Sequence, residues 1–124
     1  MSEAEELSST ELRRLKAALE AVIEELGVNT TFRQVITLIT ITLANQAGKD
    51  IGVKDISQEL GDLQPGAGSK LLKSMMHVET DRKGPIANTV RAERDIHDLR
   101  SWNLFTTSKG IDALAAILDA ANGR

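Results

Sequence analysis

Between Gly66 and Lys73 the chain gathers side chains suited to contact with a polyanion. Gly66, Ala67, Gly68 and Ser69 are small, and Lys70 and Lys73 are the only formal charges from Leu63 to Val78. At the start of a helix entering a duplex groove, small residues let the backbone come close to bases and phosphates. A serine can donate or accept there, and lysines neutralise phosphates or reach guanine acceptors. A second group follows at Arg91, Arg94, His97 and Arg100, the composition with which a hairpin touches phosphates or a minor groove. Glu93, Asp95 and Asp98 alternate with them, so local salt bridges are the competing account. Asp98 beside Arg100 could also fix that guanidinium for a phosphate contact. The expected DNA-facing set is Gly66, Ala67, Ser69, Lys70, Lys73, Arg91, Arg94 and Arg100.

Other chemistries find little support. The chain has no cysteine, which excludes disulfides, thiolate metal sites and thiol redox sensing. His77 and His97 are the only histidines, and neighbours in Asp95, His97 and Asp98 on an extended strand point to opposite faces rather than to one metal. There is no nucleophile–base pair in motif context and no phosphate-binding glycine loop. No enzyme, metal or cofactor is expected. The acidic start, with Glu3, Glu5 and Glu6, is unlike a signal peptide, and the apolar run from Val35 to Ala44 is too short for a bilayer. A cytoplasmic protein is expected. The formal net charge of −3 does not exclude nucleic acid, because the acids crowd residues 1–26 and the cations lie later.

The elements that must position these groups are legible in outline. At 124 residues with 2% aromatic content, one mainly α domain with a small β-hairpin is expected, without repeats or linkers. Ser8 with Glu11 makes a capping box, and Leu12, Leu15, Leu19, Val22 and Leu26 recur at spacings of three and four up to Gly27. Such a seam suits a partner helix, and residues 1–28 are expected to form a dimerisation helix. Thr31 and Gln34 open a second helix, despite the β-branched alternation of its middle, with Phe32, Val35, Ile36, Ile39 and Leu43 as its inward face. Ile51 has room for a minimal strand. Val53, Ile56 and Leu60 pattern a third helix ended by Gly61; Leu63 plugs the turn, and Pro65 starts a fourth helix over 65–77. Residues 86–90 and 101–105 read as strands around a charged tip, and Thr107 caps a last helix over 107–122 with Ile111, Leu114, Ala115, Leu118 and Ala121 on one face.

With those residues in view, the chain resembles the MarR family of winged helix-turn-helix transcriptional regulators over roughly 53–118. The resemblance rests on Val53 to Gly61, on Leu63 to Leu72 as a recognition-helix pattern, on Asp98 to Ser101, and on Thr106 to Gly110 as a helix start. It implies a winged helix-turn-helix core over 31–106 in a homodimer that binds near-palindromic duplex DNA. Helix 65–77 would lie in the major groove and wing 91–100 on backbone or minor groove. Many such regulators are released by small aromatic ligands, so an effector is possible though unidentified; with one Trp, two Phe and no Tyr, an aromatic-lined pocket is hard to build. The chain departs from the family pattern in its link 77–83, and Arg124 leaves no room for the family's further C-terminal helix. The rival reading is a winged-helix module that docks a protein or has an architectural role.

Overall fold

The computed structural model describes residues 3–76, 86–94 and 102–124. After a 3-10 turn at Glu3–Glu6, helix α1 spans Ser9–Leu26, with the Ser8 side chain accepting from the Glu11 amide. Helix α2 spans Phe32–Gln46, and its capping box is complete: Thr31 accepts from the Gln34 amide while the Gln34 side chain accepts from the Thr31 amide. Helix α3 is Val53–Glu59 and α4 is Ala67–Met75. Strands β1, Val90–Arg94, and β2, Trp102–Thr106, pair antiparallel, and α5 spans Ser108–Ala121 behind a Thr107 cap.

The helix expected against strand propensity is present at α2, but of its expected inward face only Val35 packs against the core. Phe32 is 75% exposed, and Ile36, Ile39 and Leu43 are exposed too, whereas Gln34, Thr37, Leu38 and Ile41 are buried. Threonine can face inward here because its hydroxyl returns to the backbone, Thr37 to the Arg33 carbonyl at 2.6 Å and Thr42 to that of Leu38 at 2.7 Å. Gln34 donates to Ser74 of α4 at 2.9 Å. With Thr37 and Gln34 satisfied beside Leu38 and Ile41 on one face, and Ile36 and Ile39 on the other, apolar content alone does not say which side is inside.

The stripe on α1 also divides. Leu12, Leu15 and Leu19 are exposed, Val22 packs partly against the core, and Leu26 is 1% exposed within it. Leu26 and Val22 are therefore core residues of this chain, contrary to their expected place in an interface seam; only the upper leucines are available to a partner. On α5, Ile111 and Leu118 face out, and the buried positions are Gly110 and Ala113. A Cβ on Gly110 would lie 2.6 Å from the Thr89 carbonyl oxygen and 2.7 Å from a Thr106 methyl, so glycine is what lets α5 seat on the hairpin.

The core joins Leu26 of α1, Leu38 and Ile41 of α2, Ile56 of α3, Leu72 and Met75 of α4, Val90 and Leu104 of the hairpin, and Ala113 of α5. Ile51 forms no strand; its carbonyl takes a single hydrogen bond from the Leu104 amide at 2.9 Å. The Asn45 side chain is bound twice by β2, donating to the Leu104 carbonyl and accepting from the Thr106 amide, both at 3.0 Å. These bonds tie α2 to the strand that leads into α5.

Candidate nucleic-acid interface

The α3–α4 pair forms a helix-turn-helix. Gly61 stops α3 at φ +91° and Gly66 precedes α4 at φ +85°, both in left-handed territory that glycine enters without a Cβ clash. Leu63 is half-buried in the turn, its amide bonded to the Ser57 carbonyl at 3.3 Å. The fourth helix is shorter than the expected 65–77: Pro65 and Gly66 belong to the turn, because Gly66 takes a left-handed conformation that a helix cannot continue. Met76 ends α4 in extended backbone, with its amide still bonded to the Leu72 carbonyl.

Among the small residues at this helix start, two groups with different roles separate. Gly68 is buried, facing Val53 and Ser57 of α3, where a methyl would sit at ordinary contact distance, 3.4 Å. That side of the helix packs on α3, and an alanine would also fit there. Ala67 is half-buried, while Ser69, Lys70 and Lys73 are exposed. Among the described residues neither lysine has an ion-pair partner. Ser69 and Lys73, four residues apart, share one row of α4, flanking the buried Leu72.

The hairpin begins later than expected. Residues 86–88 form a turn and β1 starts at Val90, so Arg91 and Arg94 lie on the strand and not at a tip. A two-stranded ribbon tolerates such charge because the ladder is made by backbone groups and one face is solvated. Register then separates the arginines. Val90, Ala92 and Arg94 pair with Thr106, Leu104 and Trp102 on the face toward the helices. Arg91 and Glu93 pair with Phe105 and Asn103 on the other face. Arg91 stacks over the Phe105 ring, 4.6 Å from its centroid, and forms an ion pair with Glu93. Arg94 stacks over Trp102 at 5.0 Å. The expectations for Arg100, and for Asp95, His97 and Asp98 beside it, lie outside the described residues, as do those for 77–83.

Two residues absent from the expected set stand beside it. Arg33, in the first turn of α2, borders a groove of about 330 Å³ with Asp62, Gln64 and Ala67, next to the start of α4. A cation in a first helical turn opposes the helix dipole, the one sequence signal that could have singled it out. Trp102, 44% exposed on β2, walls a groove of about 340 Å³ between α4 and the hairpin, together with Ser69 and Lys73. Among the described residues no helix is long and apolar enough to cross a membrane, and no group of three or more His, Asp or Glu could hold a metal.

No protein-family model matches the sequence, and no curated protein matches it either. Solved structures do. A mutant of S. aureus MepR bound to an oligodeoxyribonucleotide superposes with a TM-score of 0.71 at 20% identity, over 99% of this chain and 78% of that one. An S. aureus MepR–DNA complex gives 0.66 at 21% identity, over 88% and 70% of the two chains. MarR gives 0.57 at 19% identity, over 89% and 71%. With five helices and an antiparallel hairpin among its described residues, the chain has the winged helix-turn-helix fold of MarR and MepR, as the resemblance in its sequence anticipated.

Proposed function

We propose that the protein is a sequence-specific regulator of transcription that binds duplex DNA as a homodimer, with α4 in the major groove of each half-site. The observation that carries this is the exposed row of α4. Ser69, Lys70 and Lys73 face away from the core without an acid in the helix's first turn, on a fold whose solved relatives include DNA complexes of MepR. Ser69 can read a base edge, while Lys70 and Lys73 neutralise phosphates. Arg94 extends the cationic surface from the adjoining face of the hairpin, and Arg33 does so from the start of α2. Arg91, held by Phe105 and Glu93 on the far face, has no part in it.

The homodimer is supported by the apolar surface that one copy leaves uncovered: Leu12, Leu15 and Leu19 on α1, Ile39 and Leu43 on α2, Ile111 and Leu118 on α5. Burying a leucine or isoleucine fully contributes about 1.5–3 kcal/mol, so covering several half-exposed ones supplies a sizeable driving force. Rows this extensive mark interaction surfaces on soluble folds.

Selection from a genomic duplex library at two salt concentrations tests the reading. One enriched, near-palindromic motif, with affinity falling steeply as salt rises, is the expected result. Enrichment of no motif and no binding at low salt would overturn it in favour of a protein-docking module.

A further inference from the structure

Residues 86–89, which lead into β1, are bound from both sides. On one side the Thr89 amide donates to the carbonyl of Met75, the last residue of α4, at 2.9 Å. On the other, the start of α5 holds three consecutive carbonyls. The Lys109 ammonium donates to that of Ala87 at 2.6 Å, the Thr107 hydroxyl to that of Asn88 at 2.6 Å, and the Thr107 amide to that of Thr89 at 3.0 Å. Thr89 is fully buried, and its hydroxyl donates to the Ile86 carbonyl at 2.8 Å. Gly110 lies so near that a Cβ there would meet the Thr89 carbonyl oxygen at 2.6 Å.

Helix α4 packs on α3 and α2, whereas α5 packs mainly on α1. Apolar packing is non-directional, while hydrogen bonds have preferred lengths and angles, so the bonds running from Met75 through Thr89 to Thr107 fix the end of α4 against the start of α5. We infer that residues 86–89 tether α4 to α5, that Thr107 is the positioning residue of this tether, and that it thereby sets which spacing of half-sites the protein accepts. The inference rests on the duplex-binding homodimer proposed above. In a symmetric pair joined through exposed side chains of α1 and α5, a displacement of α4 against α5 occurs in both copies and changes the separation of the two α4 helices. Half-site spacing on a duplex reports that separation. Thr107 does two things with one oxygen: it caps α5 by accepting from the Gly110 amide at 3.2 Å, and it donates to the Asn88 carbonyl. A hydroxyl can do both, whereas a carboxylate can only accept. Aspartate is nonetheless a good N-cap, so Thr107→Asp removes the tether's bond and keeps the helix start.

The test measures affinity of the full chain, by anisotropy, for labelled duplexes that carry the selected half-sites at the selected spacing or with single base pairs inserted or removed between them. The parent should prefer one spacing sharply. Thr107→Asp should reduce the ratio of affinities between the best spacing and its neighbours several-fold, with a melting midpoint near the parent's, and Thr107→Ser should restore the ratio. The added negative charge of Thr107→Asp weakens binding to every duplex alike and so leaves a ratio unaffected. A merely structural role would lower the melting midpoint and weaken all spacings by one factor. That outcome, or a ratio equal to the parent's in the folded variant, overturns the inference while duplex binding stands. Should Thr107→Asp not fold, Lys109→Met, which removes the exposed side chain's bond to Ala87 without touching the cap, decides by the same ratio. If the parent binds duplexes without any spacing preference, the homodimer fails and the inference with it; if no duplex binds at low salt, the whole reading falls.

Discussion

The two halves of the molecule treat their apolar residues in opposite ways. In α3, α4 and the hairpin, bulk is turned inward and cations outward: Ile56, Leu72, Met75, Val90 and Leu104 are buried, while Lys70, Lys73 and Arg94 are exposed. In α1, α2 and α5 many of the largest apolar side chains face out, including Leu15, Ile39, Leu43 and Leu118. Ile39, Leu43, Ile111 and Leu118 even share one groove of about 340 Å³ between α2 and α5. The first half buries its bulk within one chain; the second leaves apolar side chains in solvent. Helix α1 crosses from one regime to the other along a single stripe, from exposed Leu12 to buried Leu26.

That division can be broken at its ends. Leu26→Ala should cost the chain the most, about 2–5 kcal/mol of unfolding free energy as for other large-to-small core changes, at every protein concentration in denaturant titrations. Leu15→Ala should instead give a deficit that shrinks on dilution, since a side chain buried only by a second copy contributes nothing to the separated chains. Next in size is the double change Leu15→Glu with Leu19→Glu. It should halve the sedimenting mass without loss of helical signal and lower affinity for a two-half-site duplex roughly 100-fold, because the second half-site is no longer held at high effective concentration. An unchanged mass would remove α1 from any interface.

Within one chain, Gly110→Ala should destabilise by about 1–3 kcal/mol, the usual scale of overpacking; the Thr89 carbonyl and Thr106 methyl that its Cβ would meet belong to the seat of α5 on the hairpin. A melting midpoint equal to the parent's would show that seat to be loose. Smaller still, Lys73→Ala should weaken all duplexes alike and lower the salt slope by about one unit, whereas Ser69→Ala should relax preference among sequences. Arg91→Ala marks the lower end of the scale. Its change in stability should stay within about 0.5 kcal/mol, with duplex affinity unaltered; a clear loss of affinity would put the far face of the hairpin on DNA.

Element type and order were legible in the sequence, because caps and stops are local chemistry. Ser8, Thr31 and Thr107 each accept from the amide three residues on, and Gly61 ends α3 as its neighbours suggested. The orientation of each helix was not legible. On α2 the face of Ile36 and Ile39 competes with that of Thr37 and Ile41, and burying the latter depends on whether the hydroxyls have partners, supplied here by the helix's own carbonyls and, for Thr42, by Thr106 at 2.6 Å. That Ser69, Lys70 and Lys73 would be exposed followed from the helix pattern, whereas the burial of Gly68 against α3 did not, since a small residue suits close packing as well as close approach to a ligand. The arginines were found, but their separation onto two faces depends on the register with Phe105 and Trp102, and register is set by pairing across the hairpin rather than by spacing along one strand. Arg33 and Trp102 escaped because their significance lies in neighbours on other elements.

The bonds made by Asn45 reach beyond the docking of a helix on a strand. A two-stranded ribbon has two open sides, and each row of unpaired amides and carbonyls is a template on which another chain can build. On β2 that row is occupied: the Leu104 amide is taken by the Ile51 carbonyl, and the Leu104 carbonyl and Thr106 amide by one carboxamide. A single side chain thus imitates the edge of a third strand and terminates the sheet. Along this edge another chain therefore finds those groups already taken, and strand addition there is opposed.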